Sequence, residues 1–219
     1  MTTATAQMVR PAISGQRWTK LLAPLGGLAL IGGLIALFAT PAGEDTGETP
    51  AEVVAYAASH ESWTVVTLLF GIASIALSGA FVAGVYSRLQ RVATSTESAL
   101  VLIGGTLFTL CFALCWVVWG APLADMPDEG ARALVHAEAY LSYDDIGWFL
   151  LGAAGIGAAV MAVPASLAAR RGGLPSWLAW LGVALGIASL GTVAFLGMFA
   201  WMAWIVLASI VMLASRVDD

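Results

Sequence analysis

The chain has 219 residues, of which 60% are hydrophobic and only 11% charged, and its formal net charge is −5. A soluble domain usually carries about 25% charged residues, and a mean hydropathy of +0.89 leaves too little polar surface to build one. Composition therefore excludes a water-soluble globular protein, and with no basic cluster outside short turns there is no electrostatic footprint for nucleic acid.

Residues 1–20 form a polar tail with Arg10, Arg17 and Lys20. The first apolar run, 21–39, is longer than the apolar core of about 7–15 residues in a signal peptide. No small-residue cleavage site stands near Ala39 or Ala42, so the run is read as a retained membrane span. Thr49-Pro50-Ala51-Glu52 then fits a capping box with proline at the first helical position. It predicts a short surface helix from about Pro50 to Ser59. The second span is 63–86, followed by a loop with Arg88 and Arg91, and the third is 99–120. An acidic segment, 121–145, follows, with a helix start predicted at Pro127-Asp128-Glu129. The fourth span is 146–168, and Pro164 is expected to kink it.

The apolar stretch 177–215 is too long for one crossing, since at 1.5 Å per residue it would reach about 58 Å against a hydrocarbon core of about 30 Å. It divides into spans 177–194 and 197–215, with a turn between Gly191 and Gly197. The expected fold is an all-α bundle of six transmembrane helices over 21–216, with a short tail at 217–219.

Eight of the nine basic residues fall on one side of such a bundle, Arg132 being the exception. Lysine and arginine mark the cytoplasmic side, so both termini are expected there, in a plasma (inner) membrane. The opposite face collects Glu44, Asp45, Glu48, Glu52, Glu61, Asp125, Asp128, Glu129, Glu138, Asp144 and Asp145. Lys20 is the only lysine, and alanine and glycine abound, a composition common in GC-rich bacterial genomes. Two units share one layout, an outer segment with proline, an acid and a histidine before a Gly/Ala-rich span and arginines. They are residues 49–91 and 126–171, and a parallel duplication is one reading of them.

The spans contain no Asp, Glu, Lys, Arg or His, the costly groups that proton-coupled transporters place at mid-membrane. Small residues are frequent instead. Gly152, Gly155, Gly182 and Gly186 are the expected helix-packing positions, since glycine lets backbones approach in lipid. Such faces also suit a homo-oligomer or a membrane-protein partner. Cys111 and Cys115 lie one helical turn apart and are read as core thiols rather than ligands for a soft metal with Met198 or Met202. The tryptophans at 116, 119, 148, 177, 180, 201 and 204 are read mostly as interfacial belt anchors.

Convergent polar chemistry is confined to the outer face. His60 and Glu61 end one surface helix; His136, Glu138, Tyr140, Tyr143, Asp144 and Asp145 end the other. If adjacent, they would form an acidic vestibule for a small ligand or cation. No catalytic spacing such as H-E-x-x-H accompanies them, so no catalytic residue, resident metal or cofactor is expected.

The stretch from His136 onward resembles a bacterial family of six-span integral membrane proteins of unknown function. The residues that carry the resemblance are Tyr140 and Tyr143, the Gly-rich fourth span, and the basic turn Arg-Arg-Gly-Gly-Leu-Pro-Ser-Trp-Leu-Ala-Trp-Leu-Gly at 170–182. The resemblance implies the six-span topology and no activity. The sequence thus points to a non-enzymatic scaffold or a partner- or lipid-binding membrane component. The alternative is a small-ligand or cation binding or permeation module. A membrane hydrolase using the outer histidines and acids ranks last.

Overall fold

A computed structural model describes residues 14–39, 47–126 and 130–215. Seven α-helices lie among them: α1 (Ser14–Phe38), α2 (Pro50–Ser59), α3 (Glu61–Leu89), α4 (Ser95–Asp125), α5 (Ala133–Arg171), α6 (Ser176–Ala188) and α7 (Leu196–Ala214). Short 3-10 turns at Gly130–Arg132 and Ser189–Ala194 complete the order, and no strand occurs among the described residues. Five helices, α1, α3, α4, α5 and α7, are long and apolar enough to cross a membrane. The α6 segment is a shorter apolar helix. Multi-pass membrane architecture follows from these lengths.

Helix α2 starts where the sequence predicts. Thr49 accepts a hydrogen bond from the Glu52 N–H at 3.4 Å, and the Glu52 carboxylate accepts from the Thr49 N–H at 3.0 Å. A second capping box, which the sequence reading does not include, opens α4 with Thr94 and Glu97. Glu97 also pairs with Arg171 at the end of α5, and the Arg170 guanidinium lies 5.8 Å from the Trp180 ring centre. Arg88 Nη1 donates to Ser215 Oγ at 2.7 Å. These arginines therefore gather at one end of the bundle, the basic end, where α3, α5 and α7 finish.

The largest departure from expectation is α5. An outer helix followed by a span at 146–168 is instead one uninterrupted helix of 39 residues. At 1.5 Å per residue it is about 58 Å long, so its first three turns stand beyond the apolar bundle at the acidic end. No glycine or proline lies between Ala133 and Ile146 to stop it, and it continues through the buried Pro164. The α2–α3 unit behaves differently, because the chain breaks at His60 (φ −125°, ψ 27°). Ser59 Oγ donates within the last turn, whose Ala55 and Tyr56 carbonyls lie at 2.8 and 3.0 Å. His60 Nδ1 lies 3.2 Å from the Tyr56 carbonyl. Side chains competing for the carbonyls of a last turn favour a stop there. The expected helix start at Pro127-Asp128-Glu129 lies outside the described residues, as do Glu44, Asp45 and Arg216.

Backbone approach at small residues organises the bundle. A β-carbon on Gly104 of α4 would meet the Gly157 carbonyl of α5 at 2.7 Å, and one on Gly157 would meet the Gly104 carbonyl at 2.8 Å. The α4 and α5 backbones touch there with no side chain between them. The expected packing glycines are likewise used inside the chain. Gly152 is buried within α5, and Gly155 faces Thr192 and the Ser189 carbonyl. Gly182 abuts Ser166, and Gly186 abuts Ala162 and Val163. Their faces are filled by α5, α6 and the Ser189–Ala194 turn. The turn expected between Gly191 and Gly197 falls at Phe195, whose φ of 65° is the one positive value at a non-glycine residue among the described residues. Gly197 follows directly, and a β-carbon there would lie 2.8 Å from the Ala188 carbonyl and closer still to the Thr192 nitrogen.

Two apolar clusters result. The main one runs along the bundle through Leu30, Leu34, Phe81, Phe108, Phe112, Met161, Trp201 and Ile205. A second, at the acidic end, packs Val53, Tyr56 and Ala57 of α2 against Leu123, Met126, Ala133, Ala137 and Tyr140. The second cluster docks α2 onto the projecting part of α5.

Candidate functional site

Beneath the docked α2 lies a cavity of about 470 Å³. Its walls come from every long helix. Leu37 and Phe38 end α1, Glu48 and Tyr56 come from the α2 unit, and Thr64 and Thr67 from the first turns of α3. Phe112, Trp116 and Trp119 come from α4, Tyr140, Asp144, Trp148 and Leu151 from α5, and Phe195 and Met198 from the strained turn and α7. The α5 residues recur at 140, 144, 148 and 151, one stripe of a continuous helix.

The aromatic walls hold one another in place. Trp116 and Trp119 meet edge to face at 5.5 Å, as do Trp119 and Trp148, and Trp148 meets Phe195 at 6.1 Å. Such pairs add about 0.5–1.5 kcal/mol each beyond burial, which favours fixed walls over collapse. The lining acids and threonines offer acceptors, whereas the donors belong to the tyrosines and tryptophans. Thr64 donates its hydroxyl proton to the Glu61 carbonyl at 2.7 Å and Thr67 donates to the Trp63 carbonyl at 3.0 Å. Each oxygen is thus left as an acceptor. The carboxylates of Glu48 and Asp144 have no ion-pair or hydrogen-bond partner among the described residues. No lysine, arginine or histidine is among the described lining residues.

The predicted site residues divide. Asp144 is half-buried and lines the cavity. Glu61, Glu138, Tyr143 and Asp145 are exposed. His60 is half-buried at the α2–α3 joint, its ring stacked on Tyr56 at 4.7 Å. His136 is half-buried on the projecting turns of α5. Among the described residues no three of His, Cys, Asp and Glu come together as a metal-holding group. Of the expected vestibule residues, Asp144 lines the aromatic cavity, together with Glu48. Sequence reading missed Glu48, Thr64, Thr67 and the aromatic walls. The available signal was the spacing 140, 144, 148, 151, which becomes a face only once α5 is one helix.

The tryptophan reading also needs correction. Trp177 and Trp180 are exposed, as belt anchors should be, but Trp116, Trp201 and Trp204 are buried in the main cluster. Three indole N–H groups, of Trp116, Trp119 and Trp201, are buried without a hydrogen-bond acceptor among the described residues. Cys115 is buried and donates its thiol to the Phe112 carbonyl at 2.9 Å, while Cys111 is half-buried, and neither forms a disulfide.

A second cavity, about 710 Å³, lies at the basic end between α3, α5, α6 and α7. It is larger but chemically quieter. Its inner polar pair is already satisfied, with Trp204 Nε1 donating to Ser166 Oγ at 3.1 Å, and Arg88 at its rim is engaged by Ser215. Ligand sites combine apolar walls with a few convergent polar groups, and the acidic-end cavity meets that description better. The class defined by this fold is an all-helical multi-pass membrane protein with an aromatic cavity at one end. No protein-family model, curated protein or solved structure matches the chain.

Proposed function

We propose that the chain is a six-span membrane protein, with both termini cytoplasmic, that binds a small ligand in the cavity under α2. The reading is non-enzymatic: binding, with or without passage of the ligand, rather than chemistry. The cavity carries it, because the volume is in the range of about 300–1,000 Å³ typical of small-molecule sites. Exposed Glu48 and half-buried Asp144 put two acidic residues on walls that are otherwise mostly aromatic and aliphatic.

Helix length supports six crossings. The 13 residues of α6 and the six of the 3-10 turn together extend about 32 Å, against a hydrocarbon core of about 30 Å. The gathering of Arg88, Arg170 and Arg171 at one end supports a cytoplasmic basic end. A scaffold role through Gly-rich faces is weaker, since Gly155, Gly182 and Gly186 pack within the chain. Partners would instead meet the exposed apolar sides of the bundle or the outer surface of α2.

Native mass spectrometry of protein purified from its own membranes in mild detergent tests the reading. The expected result is a bound small molecule at one per chain, lost in Leu151→Trp, which fills the cavity. Identical spectra for the two proteins would remove it.

A further inference from the structure

The cavity's chemistry narrows the ligand class, and this step rests on the small-ligand reading above. We infer that the ligand is a lipophilic organic cation, such as a quaternary or tertiary ammonium or a phosphonium compound.

Three observations converge on that class. First, the walls are rich in aromatic residues: Tyr56, Trp116, Trp119, Tyr140 and Trp148 all line one space. A cation over an aromatic face is attracted by the ring quadrupole, and desolvation strengthens the attraction. Second, both charged lining residues, Glu48 and Asp144, are acids, and neither has a basic partner among the described residues. An anionic ligand would meet uncompensated like charge. Third, the hydroxyl protons of Thr64 and Thr67 are committed to their own helix. Those oxygens can accept but not donate, which again suits positive charge.

A small inorganic ion fits less well. The cavity is far larger than a bare ion, and no cluster of three ligating side chains exists among the described residues. A compact, strongly hydrated ion would gain two separated carboxylates and lose its water. A bulky cation has little hydration to lose and fills the aromatic volume.

Tetraphenylphosphonium and tetraphenylborate share size and shape and differ in the sign of their charge. Equilibrium dialysis of each against the full-length protein in nonionic detergent therefore isolates charge preference. The expected result is saturable phosphonium binding, with the borate at least about tenfold weaker. Asp144→Asn, nearly isosteric, should weaken phosphonium binding by about tenfold and leave the borate no worse. Leu151→Trp, or Met198→Trp should that variant misfold, should abolish both. Equal binding of the two probes, lost on filling the cavity, would overturn the cation inference and leave the cavity reading standing. No saturable binding of either probe would overturn both.

Discussion

Gly104 and Gly157 face each other across the α4–α5 contact so closely that neither position has room for a β-carbon. On Gly104 it would lie 2.7 Å from the Gly157 carbonyl, and on Gly157 it would lie 2.8 Å from the Gly104 carbonyl. Because the obstruction is backbone, a side chain cannot turn aside to relieve it. Gly157→Ala is expected to destabilise the bundle by about 1–3 kcal/mol, the usual cost of overpacking. Gly79, where a β-carbon would meet nothing within 4 Å, is the control. Gly79→Ala should be neutral or stabilising by up to about 1 kcal/mol through helix propensity. Reversible denaturation in mixed micelles measures both.

Trp204 and Ser166 form the buried hydrogen bond that ties α7 to α5 near the basic end. Ser166→Ala leaves an indole N–H buried and unpaired and should cost about 1–3 kcal/mol. Trp204→Phe removes the donor too, so Ser166→Ala in that background should cost less. A double-mutant cycle should return a coupling of about 0.6 kcal/mol, the size usual for such bonds in membrane bundles. Zero coupling would mean that the bond does not hold the helices.

The α2 cap depends on a charged Glu52. The Thr49 side chain, then the N–H groups of Thr49 and Glu48, hold its carboxyl below the ordinary glutamate range. A lowered folded value means the stabilisation is complete above the ordinary value of about 4.3 and is lost as pH falls through the lowered one. Intrinsic-rate-corrected hydrogen exchange should show α2 amides opening more often below that range, with little change in α7, which holds no acidic residue. Glu52→Ala should exchange fast in α2 at neutral pH, and its difference from the native protein should vanish in acid.

Much of the helical order was legible in the chain. The capping box at Thr49–Glu52 and the turn between Gly191 and Gly197 needed only local chemistry, and both lie where the sequence puts them. The length of α5 was not legible, because the change from acidic to apolar residues near Asp145 reads as a boundary. Polarity changes there, but nothing breaks the backbone. That misreading separated Tyr140 and Asp144 from Trp148 and Leu151, and so concealed the cavity. Likewise, Trp116 and Trp201 look like belt anchors by composition. Only ring contacts made in the folded bundle, Trp116 with Phe70 of α3 and Trp201 with Phe108 and Phe112 of α4, make them core residues.

Topology can be read directly from thiol labelling. In a Cys111→Ala/Cys115→Ala background, Glu61→Cys places a thiol at the acidic end and Ser176→Cys one at the basic end. An impermeant maleimide applied to intact cells should label the first and spare the second until the membrane is opened. The opposite pattern would invert the proposed orientation. Labelling of both in intact cells would contradict the arrangement of crossings.

The most direct test of the central claim is an experimental density map of the protein purified from its own membranes. Non-protein density is expected in the space lined by Tyr56, Trp148, Asp144, Leu151 and Phe112. A space closed by Trp148 and Phe195 packing onto Leu151, with no room for a ligand, would contradict it.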